Sequence, residues 1–173
     1  MANSSATTAS PAWFHPNRVR KNNRNLSADP DRGRDLGFEI YLECFDGGQM
    51  AGLPRTSVRL LFPIVESESE PNYWSVRYDK ENSCKVSLTP AASDQDSLVR
   101  LCVNRPCGDL RLWRAILRIM ELGNVVALFP GCPAPLIAHE RVTDHIPARV
   151  IEALGSPFRV SSAEELLHLV QHS

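Results

Sequence analysis

Three segments of this chain alternate apolar and polar residues, and this pattern constrains the fold more than any other feature. They are residues 38–45, 74–78 and 84–88. Successive side chains of a strand point to opposite faces of a sheet, so each segment predicts a strand with one buried face and one wet face. We therefore expect a sheet that has its apolar face covered by other elements.

The second and third segments are joined by the polar residues 79–83. A loop of about five residues between two alternating segments predicts a β-hairpin. Residues 98–103 predict a further antiparallel strand, and the apolar run 125–129 predicts an interior strand. By contrast, the acidic stretch 66–72 predicts an exposed loop in front of the hairpin.

The clearest predicted helix spans residues 110–122, where apolar residues recur at the three- and four-residue spacing of one buried face. Asp109 suits the N-cap of this helix, and a glycine suits its other end. Shorter helices are predicted after Pro54 and after Pro147, since proline fits the first turn of a helix. A last helix is predicted near the C-terminus, where a serine three residues before a glutamate forms a capping box.

These signals follow the order β-α-β-β-β-α-β-α-β-α, which indicates an α+β fold. We expect a single domain over residues 37–173, with a mixed, mainly antiparallel sheet covered by helices on one face. Residues 1–36 lack an apolar period and predict a disordered tail. The basic residues of this tail could form a nucleic-acid arm or a transit peptide, but a solvated tail is the simpler interpretation.

The composition of the chain indicates which binding partners and which cellular compartment to expect. The chain has 19 Lys and Arg against 20 Asp and Glu, a net charge of −1, so nucleic acid is not an expected partner. Its five cysteines lack C-x-x-C spacing, which favours reduced thiols in a cytoplasmic protein over a disulfide framework or a zinc ribbon. No apolar run approaches the roughly 20 residues of a membrane span, so no membrane partner is expected either.

Residues 104–109, NRPCGD, place a thiol between a strand and a helix. Cys107 would lie near the positive end of the helix dipole, and Arg105 would act in the same direction, so both favour a thiolate. Cys107 is therefore a candidate nucleophile or redox thiol, with His139 or His145 as a candidate base. In the alternative interpretation the segment is structural, and the cysteine is a small buried hydrophobic residue.

A second candidate site combines acidic and aromatic residues in front of the hairpin. Carboxylates can steer a basic partner and aromatic side chains can anchor it. The predicted binding surface consists of Glu66, Glu68, Glu70, Tyr73 and Trp74. The alternative is a solvated loop that leads into a core strand.

Other motifs predict neither a metal nor a cofactor. His168 and His172 lie four residues apart on the last predicted helix, but no third ligand accompanies them, and we interpret both as solvated. The glycines do not form a G-x-G-x-x-G or a P-loop pattern, and G-x-S-x-G is also missing.

From residue 37 onward, the segments GFEIYLECFDGGQMAG, YDKENSCKVSL, LCVNRPCGDLRLW and NVVALFPGCPAPL resemble small uncharacterised bacterial proteins. Some of those are similar to immunity proteins that neutralise polymorphic toxins. The resemblance implies a non-enzymatic protein-interaction domain that inhibits a bacterial toxin, and it supplies no catalytic residues. The alternative hypothesis is a small enzyme or redox-responsive protein that uses Cys107.

Overall fold

The computed structural model describes residues 38–62 and 65–172, and it describes residues 65–70 by their backbone alone. The prediction of a tail over residues 1–36 concerns residues outside this range. The described residues form an α+β fold with a mixed, mostly antiparallel sheet, so the predicted fold class is confirmed.

The strands are β1 (Glu39–Asp46), β2 (Gln49–Met50), β3 (Leu53–Pro54), β4 (Val65–Glu70), β5 (Tyr73–Arg77), β6 (Ser83–Ala91), β7 (Asp94–Asn104), β8 (Val125–Leu128), β9 (Leu136–Ile137) and β10 (Phe158–Arg159). The helices are α1 (Arg55–Arg59), α2 (Leu110–Leu122), α3 (Ala148–Leu154) and α4 (Ala163–Gln171), and a 3-10 helix spans Glu140–His145. No helix among the described residues is both long enough and apolar enough to cross a membrane.

The strands form one sheet in the order β10-β9-β8-β1-β7-β6-β5-β4, with β2 paired to β1 and β3 paired to β7. Neighbours in this order are antiparallel except β9 and β10. The predicted hairpin is β5 and β6, and the predicted third strand is β7. The first strand, β1, lies between β7 and β8, so chain order and sheet order differ.

The apolar side chains of the alternating strands face α1, α2 and α4. Leu42, Leu101 and Leu88 are neighbours in one row across β1, β7 and β6, and all three are buried. Each such leucine contributes about 1.5–3 kcal/mol by leaving water. Helix α2 lies over this face and packs beside α4, so the predicted covering of the apolar face is confirmed.

Helices also cover part of the second face of the sheet, which the sequence did not predict. There the 3-10 helix and α3 pack on a separate apolar cluster that includes Phe45, Val126 and Ile137. The run Val125–Leu128 is apolar at successive positions, so both faces of β8 need cover. The expectation of helices on one face is therefore wrong at the β8–β9 end of the sheet.

The predicted loop over residues 66–72 is wrong for residues 66–70, and only residues 71–72 form a turn. The backbone of residues 66–70 lies in β4, which pairs with β5 through an irregular register. The serines and glutamates of this segment have weak strand propensity and no apolar alternation. Pairing with the edge of β5 decides its conformation instead.

Helix α2 begins as predicted. Asp109 accepts a hydrogen bond from the Arg111 backbone N–H at 2.8 Å, and the Arg111 side chain also contacts Asp79 in the β5–β6 turn at 2.9 Å. Arg111 thereby ties the hairpin to the helix start. Its hydrogen bond to the carboxylate lowers the pKa of Asp109 below the ordinary value.

We expect Asp109→Ala to lower the free energy of unfolding by about 1 kcal/mol at neutral pH, the usual cost of losing an N-cap. A carboxyl with a lowered folded-state pKa stabilises above its unfolded pKa of about 3.9, and this contribution is lost as pH falls through the folded pKa. The difference between the variant and the wild type should therefore shrink in acid. Urea unfolding from pH 7 down to pH 3 measures it, with Asp109→Asn as a control that keeps a capping side chain without the titration.

Candidate functional site

The middle of the second sheet face carries partly exposed polar side chains. Because β1, β7, β6 and β5 are adjacent, residues at matching positions form rows across the sheet. We call this surface the open face, and it comprises Glu39, Tyr41, Cys102, Asn104, Lys85, Ser87, Tyr73 and Ser75. All of them are half-buried or exposed, in contrast to their apolar neighbours on the same strands.

Hydrogen bonds between rows order the open face. Asn104 on β7 donates from Nδ2 to Ser87 Oγ at 3.1 Å, and the Cys102 thiol lies 3.7 Å from Asn104 Oδ1. The Tyr41 hydroxyl donates to the Glu39 carboxylate. These contacts fix the polar groups on a rigid sheet rather than on loops.

A groove of about 890 Å³ crosses the open face. Its rim combines an aromatic ring, a proline and an arginine from three loops or strand ends, namely Phe38, Pro130 and Arg105. On the far side, Lys85 Nζ lies 5.7 Å from the centre of the Tyr73 ring, a cation–π contact. The groove therefore has two cationic side chains, Lys85 and Arg105, and two aromatic rings, Phe38 and Tyr73, around a polar base.

The backbone of Arg105 is left-handed, with a φ of 49°. This region is unfavourable for a residue with a Cβ, and such residues cluster at functional sites. The Arg105 backbone N–H donates to the Phe38 carbonyl at 3.1 Å, which holds the conformation, and the side chain is exposed at the groove.

A buried ion pair lies next to the groove in the adjoining row. Arg100 on β7 contacts the Glu43 carboxylate on β1 at 2.6 Å. Glu43 is only 8% exposed, the one charged residue among the buried residues that the structure describes. The pair links β1 to β7 at the point where the open face meets the 3-10 helix and α3.

The Cys102 thiol and the Tyr41 phenol of the open face are protonated at neutral pH. Burial raises the pKa of the Cys102 thiol to about 11, and the nearby Glu39 carboxylate acts in the same direction. The hydrogen bond to Glu39 raises the pKa of Tyr41, and burial adds to this effect. These two residues therefore offer no ready thiolate or phenolate.

The structure places Cys107 in the core rather than in a site. It is 6% exposed and packs between the sheet and α2, and burial raises the pKa of its thiol. The expected activation by the helix start is therefore wrong, because loss of hydration outweighs the favourable backbone contacts. His145 lies 2.9 Å from Asp46, on the face that the 3-10 helix covers, and so does not serve as a base for this thiol.

We expect Cys107 in the native protein to react with iodoacetamide at least about tenfold more slowly than Cys102 or Cys132, which are half-buried. All five cysteines are free, so each can be labelled and then followed by peptide mass spectrometry. Labelling in urea provides the control for intrinsic reactivity. Rapid native labelling of Cys107 would contradict its placement and revive the reactive-thiol hypothesis.

The acidic and aromatic candidates are only partly brought together. Trp74 is 2% exposed and faces the core against Phe62, so the prediction that it anchors a partner at the surface is wrong. Alternation along β5 puts Tyr73 on the open face instead. The side chains of Glu66, Glu68 and Glu70 lie outside the described residues, although their backbone belongs to β4.

His168 on α4 and His172, the residue that caps the end of α4, have ring centres 4.1 Å apart and ring planes tilted by 37°. Both are exposed, as the interpretation of solvated residues requires. Within the described ranges, no three Cys, His, Asp or Glu side chains are grouped closely enough to hold a metal ion.

Sequence reasoning missed the open face as a site. The signal was present in the polar positions of the alternating strands, such as Lys85 and Ser87. What the sequence lacks is the pairing of β1 with β7, which brings Glu39 and Tyr41 beside these residues. The rows exist only when distant segments are placed in register.

Comparison with known proteins adds no relative: no protein-family model matches the chain, and neither a curated protein nor a solved structure does so.

Proposed function

We propose that this chain is a protein-binding domain and that the groove on the open face holds its partner. The observation that supports this most is the groove itself, which runs over four central strands. Within the described part of the chain, the helices cover the apolar face and the β8–β9 end, and the polar rows between them stay partly exposed.

The shape of the groove favours a polypeptide over a small molecule. Small-molecule sites are concave, mostly apolar cavities that bury most of their ligand. This groove has a polar floor on a sheet, and its border carries Tyr73 and Arg105, residue types that are enriched in protein interfaces. A partner segment lying across the strands would meet donors, acceptors and flat rings on a rigid support.

The chemistry of the face also favours binding over catalysis. Cys102 and Tyr41 remain protonated at neutral pH, and their hydrogen bonds run to neighbours on the same face. A nucleophile in a catalytic site instead needs a lowered pKa or an adjacent base. Neither group meets this requirement, and both are held by neighbouring side chains of the open face.

The partner that we propose is a bacterial toxin, which the chain would inhibit by covering its active site. This part of the proposal comes from the resemblance of the domain segments to immunity proteins. Lys85 and Arg105 on the groove suit an acidic segment of the toxin, whereas Glu66, Glu68 and Glu70 would suit a basic one.

The test begins with affinity purification of the tagged full chain from its native cells, followed by mass spectrometry of companions present in equal amounts. The companion is then titrated with the groove variant Tyr73→Ala/Lys85→Glu/Arg105→Glu. Arg141→Glu/Arg149→Glu serves as the matched control, because both arginines are exposed on the 3-10 helix and α3. We expect at least about a hundredfold loss of affinity for the groove variant and less than about threefold for the control.

The companion is then expressed alone and tested for growth arrest. Rescue of growth by the wild type but not by the groove variant would support the immunity proposal. Full affinity in a folded groove variant would contradict the assignment of the groove. Loss of affinity in Glu66→Lys/Glu68→Lys/Glu70→Lys alone would move the binding surface to β4. If the chain purifies without a companion at low salt, the proposal as a whole is wrong.

A further inference from the structure

Arg105 is the one residue other than glycine that has a positive φ in the described part of the chain, and two features make this conformation costly. A left-handed backbone crowds the Cβ of any residue except glycine. In addition, Arg105 precedes Pro106, and the residue before a proline favours an extended backbone with a negative φ. The fold therefore holds Arg105 in a conformation that its own sequence context disfavours.

The surroundings of Arg105 explain how this conformation is held, but not why the residue is an arginine. Its backbone N–H donates to the Phe38 carbonyl at 3.1 Å, and the next two residues, Pro106 and Cys107, are buried. The chain turns here from β7 towards α2, and a glycine or an asparagine would take this turn at lower cost. An arginine at this position therefore indicates that the side chain has a use of its own.

The Arg105 side chain is exposed at the groove and has no carboxylate partner among the side chains that the structure describes. Lys85 on β6 is also exposed there, and its Nζ lies over the Tyr73 ring rather than beside a carboxylate. Other arginines are paired with carboxylates of the same chain, namely Arg100, Arg111, Arg114, Arg118 and Arg159. The two cations of the groove are thus left for another molecule.

The groove carries more positive than negative charge. Lys85 and Asn104 are opposite each other on β6 and β7, and Arg105 follows Asn104 directly, so the two cations belong to neighbouring strands. Glu39 is the carboxylate among the described residues that line the groove, and it already accepts a hydrogen bond from Tyr41. This local excess of positive charge differs from the chain as a whole, which has a net charge of −1, and it favours an acidic partner.

We propose that Arg105 and Lys85 bind the carboxylates of an extended acidic segment of the partner protein, with Arg105 as the anchor. This binding mode depends on the proposed protein-binding function of the groove. The planar guanidinium of Arg105 can bind a carboxylate through two hydrogen bonds, and Lys85 adds a second positive charge. Alternate side chains of an extended segment point the same way, about 7 Å apart, so long cationic side chains on two neighbouring strands can pair with two of them.

The first test measures thermal unfolding of the full chain, for which no partner is needed. Arg105→Gly and Arg105→Ala both remove the guanidinium, but only glycine is free of the left-handed penalty. We expect the glycine variant to unfold about 3 °C above the alanine variant. Arg141→Gly and Arg141→Ala provide the matched control, because Arg141 is exposed on the 3-10 helix, where alanine should be the more stable of the two. The same order at both positions would contradict the strained backbone of Arg105.

The second test measures binding of a fluorescein-labelled peptide by fluorescence anisotropy. The peptide has about 12 residues, with glutamate at every second position and threonine between, a composition that suits an extended backbone. A peptide with glutamine in place of glutamate is the control for charge. We expect the glutamate peptide to bind the wild type at least about tenfold more tightly than the glutamine peptide.

The Arg105 variants should weaken binding of the glutamate peptide according to what each one removes. Arg105→Gly and Arg105→Ala should each lose about tenfold in affinity, because both lack the guanidinium. Arg105→Lys should lose about threefold, since it keeps the charge but not the paired hydrogen bonds. Arg141→Ala should lose none. Equal binding of the two peptides to the wild type, or no measurable binding, would contradict an acidic partner segment.

Two further outcomes separate the role of Arg105 from the function of the groove. Unchanged peptide affinity in both Arg105→Gly and Arg105→Ala would overturn the proposal and limit Arg105 to a structural role. Full affinity of the folded groove variant for the companion found by affinity purification would instead contradict the proposed function. Loss of companion affinity in the groove variant but not in Arg105→Ala would leave the groove as the binding site and overturn only the role of Arg105.

Discussion

Trp113→Ala should lower the free energy of unfolding by about 3–5 kcal/mol, the usual cost of removing a buried tryptophan. Trp113 is fully buried in the core between α2 and the sheet, and its indole N–H donates to the Cys107 carbonyl at 2.9 Å. The substitution thus creates a cavity and leaves a buried carbonyl unpaired. Total stabilities of domains are about 5–15 kcal/mol, so the variant should be close to unfolding at 25 °C.

Two further variants separate these effects of Trp113. Trp113→Phe keeps most of the volume and removes the hydrogen bond, so a loss of about 1–2 kcal/mol is expected. Leu122→Ala, on an exposed part of the same helix, should cost less than about 1 kcal/mol. Urea unfolding followed by circular dichroism measures all three, and a stability loss in Trp113→Ala no larger than in Leu122→Ala would contradict the packing described here.

Arg100→Met should cost about 2–3 kcal/mol, because it leaves the buried Glu43 carboxylate without its ion-pair partner. Breaking a buried pair on one side strands a charge in a poorly hydrated site. The expected loss is smaller than the roughly 3–5 kcal/mol usual for a fully buried pair, since the Arg100 side chain is one-third exposed and water can partly replace it.

The double variant Glu43→Leu/Arg100→Met should recover most of this loss. Replacing both members of a buried pair with apolar residues is often neutral, and Arg100 Nε has no hydrogen-bond partner among the described residues, so the native pair is incompletely satisfied. Arg114→Met, which breaks an exposed pair, serves as the control and should change stability by less than about 1 kcal/mol. A double-mutant cycle in urea measures the coupling, and simple additivity of the two single losses would show that the pair does not interact as described.

The Glu43–Arg100 pair also tests how the two faces of the sheet are joined. It lies at the boundary between the open face and the cluster under α3. If the double variant is as stable as the wild type but has lost affinity for a companion found by affinity purification, the pair serves to order the open face. Unchanged affinity would limit the pair to a structural role.

Local signals in the sequence identified the strands and helices whose pattern is contained in one segment. Alternation defined β1, β5 and β6, and the spacing of apolar residues with a capping aspartate defined α2. These patterns depend on the period of the backbone and on hydrogen bonds within a few residues, so they are readable without tertiary structure. The fold class followed from them.

The wrong predictions share one cause: each concerned a residue or segment whose environment is set by parts of the chain distant in sequence. β4 became a strand because β5 offers an unpaired edge, and Cys107 lost its expected activation because α2 and the sheet remove it from water. Trp74 points to the core because of the face that β5 presents to α1. Propensity and motif rules do not contain these neighbours.

The sequence by itself thus determined which residues alternate, where the main helix begins and ends, and which strand faces are polar. Only the tertiary structure decided that β1 inserts between β7 and β8, which aligns polar residues from four strands into the open face. The physical reason is that register between distant strands depends on packing of the whole apolar face, a property that no single segment encodes.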